Sequence, residues 1–233
     1  MPDPRPLADR LRQAGATFGL RHGRPIALHF GSAASELAAC RRSVGLLDRS
    51  DLDVHLACGR SAVIDQLTDI ELGAPLPVGA LLSMGETWWG RSAPEEVVVV
   101  CDAGVSSRLE AQLRAAARRC TGLELEGRPQ APVAIAVIGR AAGALLRELG
   151  TAVPPGPYGQ MVRLAVEGVE GSWMLLADEL ALALVPPQRA VAAWEAIERA
   201  GHTLGLIYVG AEAGERFCIA ARMRAAQDAS CRP

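Results

Sequence analysis

Val54-His55-Leu56-Ala57-Cys58-Gly59-Arg60-Ser61-Ala62 returns, in outline, as Ile135-Ala136-Val137-Ile138-Gly139-Arg140-Ala141-Ala142. Each copy is an apolar strand that stops at Gly-Arg, passes two small residues and becomes a helix. The helix carries Val63-Ile64-Asp65-Gln66-Leu67 in the first copy and Ala144-Leu145-Leu146-Arg147-Glu148-Leu149 in the second. A strand, turn and helix repeated together at an offset of about 80 residues mark a duplication. A duplicated fold places a ligand site preferentially between its halves.

Around the first copy, the residue pattern predicts a helix over 7–14 and a short strand over 26–30. A second helix runs through residue 42, with Ser32 as N-cap and Gly45 at its end. Strand 52–58 sets Leu52, Val54, Leu56 and Cys58 against Asp51, Asp53 and His55, so one face is expected to be buried and the other wet. On that reading Asp48, Asp51 and Asp53 cap a turn and line a solvated edge, and residues 80–84 form the neighbouring strand. Val97-Val98-Val99-Val100 is a β-branched run suited to a central strand, followed by an amphipathic helix over 106–119. Around the second copy come strand 133–138, helix 140–149, strands 161–166 and 173–176 about a turn at 168–171, strand 180–185 and helix 188–200. The Pro-Gly stretch 153–159 is a loop. The expected class is α+β. The expected organisation is a first repeat over 1–128, a second over 129–226 and a flexible tail over 227–233.

Composition removes several function classes. A formal charge of −2 argues against nucleic acid, where a basic stripe would be expected. Arg residues interrupt every long apolar run, so no membrane span is expected. The opening Met1-Pro2-Asp3-Pro4-Arg5-Pro6 lacks the apolar core of a signal peptide, and a cytoplasmic location is expected. The six cysteines form no C-x-x-C pair and the four histidines do not cluster with them, so no metal is expected. The chain contains no lysine, which excludes a Walker A loop and a pyridoxal-phosphate Schiff base. No G-x-G-x-x-G stands at a strand-to-helix turn, so no nucleotide cofactor is expected.

Glu36-x-x-x-Cys40-Arg41-Arg42-Ser43-Val44-Gly45-Leu46-Leu47-Asp48-Arg49-Ser50, then a strand and Gly59-Arg60-Ser61-Ala62, resembles the opening of the glycine-cleavage T-protein superfamily. That superfamily includes tetrahydrofolate-dependent aminomethyltransferases, the folate domains of dimethylglycine and sarcosine dehydrogenases, the gamma subunit of sarcosine oxidase and a folate-binding iron-sulfur repair protein. The similarity continues through Val137-Ile138-Gly139-Arg140-Ala141-Ala142, Arg163, Leu184-Val185-Pro186, Trp194, Gly201, Gly205-Leu206 and Val209-Gly210-Ala211-Glu212-Ala213. The resemblance implies two interlocked ferredoxin-like repeats with a folate cavity between them, here without the C-terminal barrel of the transferases.

The chain departs from the family pattern at charged positions. Where the transferases carry an Asp that handles the proton of the folate nitrogen, this chain reads Gly85-Glu86-Thr87-Trp88-Trp89-Gly90-Arg91, leaving Glu86 as the candidate acid. The pterin-recognising Glu aligns with Leu182, and the family's Leu-Arg-x-Glu-x-Gly appears as Phe217-Cys218-Ile219-Ala220-Ala221-Arg222. The Lys-Gly-Cys-Tyr-x-Gly-Gln signature of the iron-sulfur repair branch is absent.

The candidate site follows. Glu86 is the candidate proton shuttle. Met84, Trp88, Trp89, Arg91, Tyr158, Arg163, Leu182 and Arg222 are the candidate cofactor-binding residues. Trp88 and Trp89 offer flat apolar area for stacking a heterocycle or, equally, cover the core; adjacent strand residues face opposite sides, so at most one enters a given pocket. Arg163 pairs a ligand carboxylate or, alternatively, Glu167 or Asp178. Three readings stand: an enzyme transferring a one-carbon unit between a small-molecule amine and a tetrahydrofolate-like cofactor; a non-catalytic gamma-type subunit bound to a flavoprotein partner; and a cavity repurposed for another small molecule.

Overall fold

The computed structural model describes residues 6–126, 131–150 and 159–230, the last ten of these as backbone only. The chain begins with helix α1 (Ala8–Gln13), a hairpin of β1 (Thr17–Arg21) and β2 (Arg24–His29), helix α2 (Ala33–Cys40) and strand β3 (Gly45–Asp48). Next come β4 (Leu52–Cys58), α3 (Ser61–Leu72), β5 (Leu81–Met84), β6 (Thr87–Ala93), β7 (Glu96–Asp102), α4 (Ser106–Ala117) and β8 (Glu124–Glu126). The same order returns in β9 (Val133–Ile138), α5 (Ala142–Glu148), β10 (Gln160–Val166), β11 (Val169–Ala177), β12 (Leu180–Val185), α6 (Ala190–Gly201) and β13 (Ile207–Tyr208), before the long helix α7 (Ala211–Ser230). Residues 227–230, expected as tail, are the last turn of α7.

Two sheets carry the structure. One has the order β5-β6-β7-β4-β8, the other β10-β11-β12-β9-β3-β13. In both, the strand of the repeated unit is central and pairs antiparallel with the β-branched or leucine strand that follows it, β4 with β7 and β9 with β12. Strand alternation divides the interior into layers. Val97, Val99 and Cys101 pack with Ile64, Leu109 and Leu113 beneath α3 and α4. Ile135, Val137, Ala181 and Ala183 pack with Leu145, Trp194 and Ile197 beneath α5 and α6. The opposite faces of the same strands, Val98 and Val100 from one sheet and Ala136, Ile138, Leu182 and Leu184 from the other, meet in a core between the sheets. The result is helices, sheet, sheet, helices, with α7 closing one side against α2, β2, β3 and β9.

Several expectations are corrected. Gly45 does not end a helix; α2 stops at Cys40 and Gly45 opens β3. A side chain at Gly45 would collide with Val209 Cγ2 at 2.5 Å and Cys40 Sγ at 2.9 Å, so close approach explains the residue. Strand 80–84 does not neighbour β4; β5 pairs with β6, and β4 lies between β7 and β8. The acidic side of β4 is not a wet edge, since Asp51 is 0% and Asp53 4% exposed. The β1–β2 hairpin covers it: Arg24 forks onto Asp53 at 2.9 and 2.6 Å, and Arg21 approaches Asp51 at 3.6 Å. Asp48 does cap its turn, accepting from the Ser50 backbone N–H at 3.1 Å.

Candidate functional site

A cavity of about 130 Å³ opens between the two sheets. Its walls come from both: Leu47 of β3 with Leu176, Leu180 and Leu182 of β11 and β12 on one side, and Trp88 and Asp102 of β6 and β7 on the other. Helix α7 adds Ala211, Glu215, Cys218 and Ile219, and the remaining wall is Arg21 and Arg49. The site thus has an apolar floor and a charged rim.

The rim is held by ion pairs, of which Arg49 with Asp51 is the buried one. Arg49 donates from Nε and Nη2 to the Asp51 carboxylate at 2.8 and 3.1 Å. Burial disfavours the Arg49 cation, but Asp51, and beyond it Asp102, more than offset this and raise its pKa, so it is charged at any working pH. Arg21 spans Asp51 and Glu215, the latter at 3.2 Å.

Helix α7 is fixed by Glu36, a carboxylate 5% exposed that accepts from Phe30 N–H at 2.7 Å and Gly210 N–H at 2.8 Å. It ties the end of the hairpin to the residue before α7. Gly210 rests so closely on the Leu28 carbonyl that a Cβ would lie 2.1 Å from its oxygen. The registry of the α7 wall is therefore set by the backbone.

Of the residues singled out from sequence, Trp88 and Leu182 line the cavity. Trp89 faces the opposite way, 3% exposed in the core beneath α3 and α4, with its indole N–H on Thr87 Oγ1 at 3.1 Å. Strand alternation thus admits one of the two indoles. Glu86 sits in the turn between β5 and β6, its side chain 63% exposed and 3.7 Å from Arg108. Met84 is an exposed strand residue beside it. Arg91 is a buried cross-brace: it pairs with Asp65 and donates to the carbonyls of Leu76 at 2.8 Å and Pro94 at 2.7 Å and to Ser61 Oγ at 3.0 Å. Arg163 pairs with Glu96 at 3.0 Å rather than with Glu167 or Asp178. The turn at Glu167 and Gly168, both at positive φ, sends Glu167 to Arg199 instead. Tyr158 and the side chain of Arg222 lie outside the described residues.

Sequence reading missed Arg21, Arg49, Asp102, Glu215 and Cys218. Arg21 and Glu215 stand almost 200 residues apart on elements with no local sign of convergence. Among the described residues, no group of three or more His, Cys, Asp or Glu is arranged to hold a metal ion, and no helix is long and apolar enough to cross a membrane.

The cavity is small for a whole tetrahydrofolate. Ligand cavities ordinarily measure roughly 300–1,000 Å³, more than twice the volume here. Leu182, 1% exposed in the wall, offers no acceptor to the amino and amide edge of a pterin.

No family model and no curated protein matches the sequence. Solved structures do match the fold. The glycine cleavage system aminomethyltransferase T from Bartonella henselae superposes with a TM-score of 0.69 and 21% identity, over 89% of this chain and 59% of that one. Heterotetrameric sarcosine oxidase from Corynebacterium sp. U-96, in complex with pyrrole 2-carboxylate, gives a TM-score of 0.59 and 15% identity, over 74% of this chain and 92% of the matched one. The chain spans about three-fifths of the transferase's length. The two-sheet α+β arrangement is thus the fold this chain shares with the aminomethyltransferase T and the matched sarcosine oxidase chain.

Proposed function

We propose that the chain is a folate-fold subunit that does not itself carry out one-carbon transfer and works as a gamma-type partner of a larger, sarcosine-oxidase-like flavoprotein. In this reading the two sheets are interlocked repeats, 1–128 and 129–226, and β3 is the segment lent by the first repeat to the sheet of the second. The observation that carries the proposal is the cavity: it lies between the sheets, yet measures about 130 Å³ and is walled by Leu182. The position of Glu86 supports the same reading, because an exposed turn carboxylate lacks the desolvated setting that tunes a proton shuttle. The likeness to the sarcosine oxidase chain over 92% of its length supports the choice of partner.

The test is purification of the tagged full-length chain from its own cells, with the absorbance spectrum and subunit stoichiometry of what elutes. A complex of fixed stoichiometry carrying bound flavin is expected. A monomer without flavin that transfers a one-carbon unit from an amine to added tetrahydrofolate, and loses that activity in Glu86→Gln, contradicts it. The transferase reading keeps two observations in its favour, the placement of Trp88 at an inter-sheet cavity and the fuller superposition of this chain on the aminomethyltransferase T.

A further inference from the structure

The rim of the cavity is unevenly satisfied. Two carboxylates, Asp102 and Glu215, and two guanidiniums, Arg21 and Arg49, line it, and Asp51, paired with both arginines, brings one formal negative charge in excess. Asp51 is shared by both arginines and Glu215 is held by Arg21. The Asp102 carboxylate makes no hydrogen bond to a described residue, although it lines the cavity and contributes to the field at Arg49. On the donor side, Arg49 spends Nε and Nη2 on Asp51, and its Nη1 makes no hydrogen bond to a described residue. An acceptor and a fixed guanidinium edge therefore look into one small space, above a floor of Leu47, Leu180 and Leu182.

Groups of opposite charge with open valences are complementary to a ligand that carries both an ammonium and a carboxylate. The volume sets its size: a cavity of about 150 Å³ takes benzene, six non-hydrogen atoms, and this one is slightly smaller. We propose that the inter-sheet cavity binds a small amino-acid zwitterion of about six non-hydrogen atoms, its ammonium on Asp102, its carboxylate toward Arg49 and Arg21, and its aliphatic part on the leucine floor. A simple cation would meet two guanidiniums and a simple anion the carboxylates of Asp102 and Glu215, so each half of the zwitterion alone is disfavoured. The inference goes beyond the proposed function and holds whether or not the chain assembles with a flavoprotein.

Titration of the isolated full-length chain with L-alanine, followed by tryptophan fluorescence and calorimetry, tests it, because Trp88 lines the cavity. Saturable one-to-one binding is expected, with n-propylammonium and propionate each at least about tenfold weaker, since a single charge-assisted hydrogen bond is worth that much. Asp102→Asn should weaken L-alanine binding by about tenfold or more and leave the urea midpoint close to that of the parent. Ala211→Leu, which fills the space from the α7 wall, should abolish binding, so that the proposal stays testable if the Asp102 variant does not fold. No binding of L-alanine, propionate binding as tightly as L-alanine, or L-alanine binding unchanged in Ala211→Leu would each overturn it. None of these results bears on the flavin content of the purified complex, so the two proposals fail separately.

Discussion

Replacing Glu36 removes the clamp that sets α7 against the hairpin, and its cost can be worked from the contacts. The carboxylate is 5% exposed and accepts two backbone N–H groups, from Phe30 and Gly210. Hydrogen bonds to a charged group contribute about 1.5–3 kcal/mol each, and a buried donor left unsatisfied costs about 1–3 kcal/mol. Glu36→Ala orphans both donors and should destabilise the chain by about 3–5 kcal/mol. Glu36→Gln keeps one acceptor and turns an N–H toward the other donor, for a loss of about 1–3 kcal/mol. Urea unfolding gives the two values, and native-state hydrogen exchange at Phe30 and Gly210 locates them. Because Gly210 precedes Ala211, the first cavity residue of α7, exchange should rise from Gly210 into the first turn of α7 before it rises in β9 or β12. If both variants unfold within about 0.5 kcal/mol of the parent, the range expected of an uninvolved surface site, the clamp contributes nothing and the reasoning fails.

The glycines of the repeated unit should respond differently. Gly139 has φ +116° and a Cβ there would lie 2.5 Å from the Ser43 carbonyl oxygen, so Gly139→Ala should cost more than about 2 kcal/mol. Gly59, whose closest contact would be the Gly122 carbonyl at 3.1 Å, should lose about 1 kcal/mol or less by the same unfolding assay. Arg91→Ala strips the brace between α3 and β6 and should cost about 3–5 kcal/mol in thermal or urea unfolding while any ligand affinity of the folded protein is retained. Burial pushes the Cys40 thiol up to about 12 and the Cys101 thiol up to about 11, so both should resist alkylation at pH 8 until the chain is unfolded, read by mass spectrometry. The sign follows for stability: the unfolded thiols lose protons near their ordinary value of 9.0 while the folded ones hold them, so the unfolding free energy should fall as pH rises from about 9 toward 12.

The strand-turn-helix units and the helices between them are legible because their signals are local. Strand β9 occupies the expected 133–138, and the alternation of Trp88 and Trp89 between two cores follows from the two-residue period of a strand. The cavity lies between the sheets, and Trp88 and Leu182, which line it, are among the residues the sequence singles out. Strand β3 is not legible: Gly45-Leu46-Leu47-Asp48 has four residues, and its partners β9 and β13 lie about 90 and 160 residues away. The acids of β4 mislead for a similar reason. Alternation alone marks Asp51 and Asp53 as solvated, whereas the arginines that bury them arrive from a distant hairpin. Glu86 stands out as the only acid in a glycine-flanked stretch, and backbone turn geometry, invisible in that pattern, puts it at the tip of a hairpin.

The most direct measurement of the central claim is a tetrahydrofolate titration of the purified chain followed by tryptophan fluorescence. A cavity of about 130 Å³ walled by Leu182 predicts no saturable response up to about 1 mM ligand, an affinity weaker than about 4 kcal/mol. Saturation in the micromolar range that disappears in Trp88→Ala would contradict the account and restore the transferase reading.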